Sequence, residues 1–195
     1  MKTVYFDVDT QIDFVYPAGA FYVPGSSALI RRIAALNHFA ASQGMPLVST
    51  MDAHAENDPE FRQYPHHCVV GTPAQGKPQI TLLDKRVTVP SAATRVVLGD
   101  AQQVLLEKQT IDCFTNANLA TLLEQWNAGR YVVYGVVTEI CVRKALEGLL
   151  ATGREVVLVR DAVQSIDSTA SEEMIATMRG QGLKVAVASE VMTAQ

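Results

Sequence analysis

The sequence predicts an α/β fold of three layers, αβα, around a mostly parallel central sheet. Three observations predict it. Short apolar runs alternate along the chain with stretches of helical periodicity, the pattern of successive βαβ units. Most of those runs are apolar throughout rather than at every second position, as strands covered on both faces are. The chain has 195 residues, 48% of them hydrophobic and 18% charged, enough to bury a core without disulfides. We read residues 1–195 as one domain, with no internal repeat and one excursion at 80–103.

Each element has its own justification. Val4–Val8 is an apolar run ending in acids, a buried strand. Ser27–Gln43 carries Leu29, Ile30, Ile33, Leu36 and Phe39 at helical spacing, and Gly44 stops it. Pro46–Thr50 is a second buried strand. Asp52–Gln79, rich in Pro, His, Asp and Gly, is a long ordered loop or a site. In Ile80–Gln103 the positions of Val87, Val89, Val96 and Leu98 predict an extra hairpin, an arm or an oligomer contact. Val104–Glu107 is a strand, Leu119–Trp126 an amphipathic helix closed by Asn127-Ala128-Gly129, and Tyr131–Val137 a strongly apolar strand. Thr138–Ala151 is a helix with Thr138 as N-cap and Gly153 beyond its end. Glu155–Val159 is a strand, Ser168–Arg179 a helix and Lys184–Ala188 the last strand.

Composition excludes several classes of function. A net charge of −4 leaves no basic excess to neutralise phosphates, so neither a nucleic acid nor an anionic membrane surface is expected as a partner. No apolar run approaches a bilayer span. The chain enters its first strand without a signal-peptide layout, and its three cysteines, Cys68, Cys113 and Cys141, include no CxxC; both fit a cytoplasmic protein.

Ligands of such folds bind beyond the carboxyl ends of the strands. That directs attention to Asp7, Asp9, Gln11 and Asp13, to Asp52 and His54, to Lys108, to Cys141 and to Asp161. Cys141 falls in the first turn of a helix, where free N–H groups favour a thiolate and can hold an oxyanion; a small buried hydrophobe is the competing reading, and the one that suits Cys68 and Cys113. Asp9 ends the first strand, where desolvation makes a carboxylate a usable base; turn and cap chemistry is the alternative, and the reading for Asp13. Lys108, at another strand end, could steady either charge. Asp52 and His54, then Glu60, then His66 and His67 form the richest ligand cluster, with Asp58 an alternative third ligand. Asp-x-His in extended chain puts both side chains on one face. Carboxylate plus imidazole suits Zn²⁺, Mn²⁺ or Fe²⁺. Adjacent His66 and His67 point apart in extended chain, so one of them ligates.

Four separated motifs resemble one family. They are Val8-Asp9-Thr10-Gln11-Ile12-Asp13-Phe14, the segment Ser49–His54 with Pro65–Thr72, Glu107-Lys108, and Gly135-Val136-Val137-Thr138-Glu139-Ile140-Cys141-Val142. In order and spacing, from about Val4 to Asp161, the chain resembles the isochorismatase-like cysteine hydrolases, and among them most of all the nicotinamidases. The resemblance implies a triad of Asp9, Lys108 and Cys141, a non-proline cis peptide between Val136 and Val137, and an oxyanion site at the N–H groups of Val137 and Cys141. It implies metal ligands Asp52, His54 and His67, with Glu60 where many nicotinamidases have a histidine. It implies Phe14, Tyr64 and Phe114, with Val136, around the substrate ring. The implied activity is metal-assisted hydrolysis of nicotinamide to nicotinate and ammonia through a thioester, in pyridine nucleotide biosynthesis and NAD salvage. The implied cofactor is zinc, or iron or manganese in its place, and the implied partner is a small carboxamide; a homo-oligomer is the open reading that goes with an oligomer contact at Ile80–Gln103. The alternative within the family is another small amide, ureido or carbamoyl substrate; outside it, a non-catalytic binding protein on the same fold.

Overall fold

The structure, a computed structural model, describes residues 2–193. Seven strands form one sheet: β1 Thr3–Val8, β2 Leu47–Asp52, β3 Arg86–Val89, β4 Gln103–Lys108, β5 Arg130–Val136, β6 Glu155–Gln164 and β7 Lys184–Ala186. Their order is β3-β4-β2-β1-β5-β6-β7 and every pairing is parallel. The direction of travel reverses at β1, with β2 on one side and β5 on the other, which makes a switch point at the carboxyl end of β1. Six helices accompany the sheet: α1 Ile12–Val15, α2 Ile30–Ser42, α3 Leu119–Trp126, α4 Arg143–Ala151, α5 Ser168–Gly180 and α6 Ala188–Val191. Right-handed crossovers leaving β1 and β5 in opposite directions put α2 and α4 on opposite faces of the sheet.

β1 and β5 are buried almost throughout, which is why their sequences are continuously apolar. On the α2 face, Tyr5 of β1 lies edge-on to Tyr134 and against Phe39, and its hydroxyl donates to the Val191 carbonyl of α6 at 2.8 Å. Gly135 is needed where β5 meets β1. Its φ is +119°, and a Cβ there would stand 2.1 Å from the Val8 carbonyl oxygen.

The expected hairpin at 80–103 is not formed. Arg86–Val89 is the edge strand β3, parallel to β4 in the register Val87↔Val104 and Val89↔Leu106. Val96 and Leu98 lie in no strand and pack half-buried against the core. Spacing alone does not separate a strand from a loop that buries alternate side chains. Backbone pairing decides: the N–H groups of Gln102 and Gln103 donate to the Lys85 carbonyl, and the Leu83 N–H donates to Gln103 Oε1, which locks the segment before β3 to the start of β4. Thr138 is likewise no N-cap. The chain after β5 makes one wide π-helical turn, Thr138–Val142, in which the Val142 N–H donates to the Val137 carbonyl at 3.1 Å, and α4 starts only at Arg143. The last strand stops at Ala186, and α6 follows from Ala188.

Candidate active site

The carboxyl ends of β1, β2, β4 and β5 bring Asp9, Asp52, Lys108 and Cys141 together. Asp9 sits one residue beyond β1 with φ +47°, a left-handed conformation that is uncommon for a side-chain-bearing residue. Two contacts hold it there: its N–H donates to the Thr50 carbonyl at 3.2 Å, and the Thr50 hydroxyl donates to Asp9 Oδ1 at 2.6 Å. Lys108 Nζ lies 2.8 Å from Asp9 Oδ2, pairs also with Asp52 Oδ1, donates to the Thr110 carbonyl at 3.1 Å and stands 3.9 Å from Cys141 Sγ. All four side chains are buried.

Burial and charge divide the titrating groups. Burial opposes the Lys108 charge, but Asp52 and Asp9 outweigh it and hold the ammonium well above the usual lysine range. Burial also opposes the Asp52 charge, and there Lys108, His54 and His67 win and hold the carboxyl well below the usual carboxylate range. At Asp9 burial prevails over Lys108, and the carboxyl is raised. Burial raises the Cys141 thiol too, with Lys108 offsetting only part of it and a hydrogen bond with Asp9 adding to it. The expected thiolate preference from a helix N-terminus is therefore reversed by desolvation. Cys113, also buried, is pushed up to about 12, and Cys68 is raised further.

Beside this group Asp52, His54 and His67 offer ligand atoms that lie within 4.8 Å of one another. His67 Nδ1 lies 2.6 Å from the Pro65 carbonyl and His54 Nδ1 lies 3.0 Å from Asp58 Oδ2, so each ring turns Nε2 toward Asp52 Oδ2, at 3.5 and 3.9 Å. Such outer contacts fix the tautomer and aim the free nitrogen of a ligating histidine. Neither nitrogen of the buried His54 has a hydrogen-bond partner; Nδ1 meets Asp58 as an ion-pair contact and Nε2 is left free. Two imidazoles and a carboxylate converging through unshared lone pairs fit a divalent cation held at about 2.0–2.2 Å. Asp58 stands behind His54 and caps the turn Pro59–Arg62 by accepting the Glu60 N–H at 2.9 Å. Glu60 lies outside the trio but lines the same cleft. His66 stacks on Phe61 at 4.2 Å between ring centroids.

Two buried side chains hold these pieces in place. Gln11 grips β2 through the Asp52 backbone, its Oε1 accepting the N–H at 2.7 Å and its Nε2 donating to the carbonyl at 2.9 Å. Asp13 accepts the Ala20 N–H at 2.8 Å through Oδ1 and the Cys68 N–H at 2.6 Å through Oδ2, which ties the loop before Phe21 to the chain after His67.

The cleft above the thiol takes in about 330 Å³ of space, part of it open to solvent. Val136, Val137, Ile140 and Cys141 line one part, and Asp52, Glu60 and His67 another. Phe14, Phe21 and Tyr64 form an aromatic wall, with Phe14–Phe21 and Phe21–Tyr64 centroids 5.9 and 5.8 Å apart. The Val136–Val137 peptide is cis. Of the expected ring-binding residues, Phe14, Tyr64 and Val136 reach the cleft. Phe114 does not line it: its ring lies so close over Gly148 of α4 that a Cβ there would meet it at 2.1 Å. Phe21, Ile111 and Ile140 line the cleft and were not foreseen. Ile140 neighbours Cys141 in sequence, whereas nothing local marks Phe21, which its loop delivers through Asp13.

The Isochorismatase domain family model matches residues 3–193. No curated protein matches the chain. A pyrazinamidase of Pyrococcus horikoshii, solved in complex with zinc, is 28% identical, with a TM-score of 0.79 over 96% of this chain and 99% of that one. An N-carbamoylsarcosine amidase from Thermoplasma acidophilum, 22% identical, has a TM-score of 0.78 over 96% of this chain and 97% of its own. A pyrazinamidase/nicotinamidase from Streptococcus mutans, 19% identical, has a TM-score of 0.80 over 95% of this chain and all of its own. The last two likenesses concern the fold. With a family model spanning nearly its whole length and a parallel αβα sheet to match, the chain belongs to the isochorismatase-like hydrolase family.

Proposed function

We propose that the protein is a metal-assisted cysteine amidohydrolase that converts nicotinamide to nicotinate and ammonia. The observation that carries this reading is the contact of one buried lysine with a carboxylate and a thiol, Lys108 with Asp9 at 2.8 Å and with Cys141 at 3.9 Å, beneath an aromatic cleft. In the resting site the shared proton rests on sulfur. As Cys141 Sγ attacks the amide carbon, that proton passes to Asp9, and Lys108 keeps the resulting charges balanced. The S–C bond forms and the carbonyl oxygen becomes an oxyanion, to which the N–H groups of Val137 and Cys141 would donate. Collapse breaks the C–N bond, and Asp9 returns its proton to the departing ammonia. Asp9 then takes a proton from water as the water oxygen attacks the thioester; collapse breaks the C–S bond, Asp9 gives that proton to the leaving sulfur, and the acid departs as nicotinate by losing its own proton to solvent.

Asp52, His54 and His67 would hold a divalent cation; Glu60, which the resemblance adds as a ligand, lines the same cleft but stands outside this trio. Zinc suits this set best, and iron or manganese share its donors. Bound there, the cation would supply an electron-pair acceptor for a ring nitrogen or a water.

The cleft's charge supports a neutral substrate over the ureido or carbamoyl acids that other members of the family take. Among the described residues no lysine or arginine lines the cleft, and Lys108 beneath it is already engaged by two carboxylates. The one compensating cation for an anionic group would be the metal held by Asp52, His54 and His67; the rest of the lining offers none, which supports a neutral substrate. The test is ammonia release by the zinc-loaded enzyme from nicotinamide, pyrazinamide and N-carbamoylsarcosine, with and without a chelator. Release from the two ring amides, lost on chelation, is expected; release from N-carbamoylsarcosine alone would overturn the reading.

A further inference from the structure

The cleft is not closed on the side of Glu60. A second, wider space of about 1020 Å³, open to solvent, adjoins it and shares three of its lining residues, Glu60, Tyr64 and Ile111. None of the residues around the thiol, Val136, Val137, Ile140 or Cys141, lines this groove. A carboxamide whose carbonyl carbon faces Cys141 would therefore present its far ring edge, not its amide, to the groove mouth. The three shared residues are half-buried and belong to two separate chain segments, the turn after Asp58 and the stretch after Lys108. The mouth is thus a seam between loops and not a continuous wall.

The groove's chemistry is one-sided. Beyond the shared residues it is lined by Asp58, Pro59, Gln63, Gln109 and Thr110. Its acids are Asp58 and Glu60, and its amides and hydroxyl supply further acceptors. Among the described residues it has no lysine, arginine or histidine. The amides and hydroxyls donate or accept alike, so the charge decides: a cation is matched by the two carboxylates, while an anion meets like charge and no cationic side chain.

We propose that this groove is a second substrate subsite, which accepts a neutral or cationic donor-bearing substituent on the ring edge remote from the carboxamide and rejects an anionic one. The inference rests on the amidohydrolase reading above. The substrate class it names is the ring carboxamide with a polar arm para to the amide.

The test uses the full-length zinc-loaded enzyme and three amides: nicotinamide, 6-(2-aminoethylamino)nicotinamide and 6-(carboxymethylamino)nicotinamide. Ammonia release gives kcat/KM for each. The cationic-arm amide should fall within threefold of nicotinamide or exceed it, and the anionic-arm amide should fall at least tenfold below the cationic one. Gln63→Arg, a change at an exposed position on the groove, should lower the cationic-to-anionic ratio at least fivefold. Hydrolysis of nicotinamide with neither armed amide accepted would overturn this inference and leave the amidohydrolase reading standing. A ratio near one in the wild type, or one that Gln63→Arg leaves unmoved, would overturn it as well. Failure of all three amides would overturn both.

Discussion

At the scale of single residues, the site works by setting burial against charge. Asp9 and Cys141 are both pushed toward their protonated forms by desolvation, and Lys108 is the group that restrains this. The sign for Asp9 follows. Catalysis needs its carboxylate, so activity is present above its pKa and lost as pH falls through it. Because that pKa is raised above 3.8, kcat/KM for a neutral amide is expected to show an acid limb above the ordinary carboxylate range, and Asp9→Asn should remove the limb and lower kcat by about 10³-fold or more. A limb at or below 3.8 would remove Asp9 from the role of base. Asp58 acts through His54, which it meets at 3.0 Å. Asp58→Asn should therefore weaken zinc binding by about 10–100-fold, read by calorimetric titration of the metal-free protein, while Asp52→Ala should abolish it. Equal zinc affinity in Asp58→Asn and wild type would show that the contact aims nothing.

At the scale of elements, buried polar contacts pin the loops that carry the site to the sheet. The clearest lies outside the chemistry. Lys77, at the end of the metal loop, reaches Asp7 of β1 at 3.2 Å with both side chains fully buried, and Asp7 also accepts from Ser49 at 3.1 Å and Asn37 at 3.3 Å. Removing one partner of such a pair leaves an uncompensated buried charge, so Lys77→Met should cost about 3–5 kcal/mol, roughly 10 °C in Tm for a chain of this size, measured by thermal unfolding. An unchanged Tm would mean that the pair contributes nothing net. Lys77 also marks where the sequence stops being legible. Six of the seven strands were readable because buried parallel strands write continuous apolar runs, and Asp9, Asp52, His54, Lys108 and Cys141 drew attention because each stands at or just beyond a strand end or in a dense ligand cluster, while the choice of His67 over His66 came from the family resemblance. Phe21, the Asp7–Lys77 pair and the parallel placement of Arg86–Val89 were not. They depend on contacts between segments far apart in sequence, which no local period or spacing records. Phe114 shows the converse: an aromatic near Lys108 in sequence is drawn to Gly148 by packing.

At the scale of the whole molecule, the switch point at β1 gathers four strand ends from one parallel sheet around one cleft. Among the described residues no helix is long and apolar enough to cross a membrane. Membership of the family accounts for the parallel sheet, and the proposed reaction rests on the local chemistry of the cleft. If a cation joins the three segments that carry Asp52, His54 and His67, it stabilises the fold by mass action. Zinc in excess should then raise Tm in the wild type and leave it unchanged in Asp52→Ala; equal shifts in both would place the zinc elsewhere. The central claim is that Cys141 attacks the carboxamide and carries the acyl group. The most direct measurement is mass spectrometry of the zinc-loaded enzyme, acid-quenched during turnover of nicotinamide and digested. The account predicts one nicotinoyl group on the peptide containing Cys141, and no ammonia release by Cys141→Ala. A nicotinoyl group on Cys68 or Cys113, or undiminished ammonia release by Cys141→Ala, would contradict it.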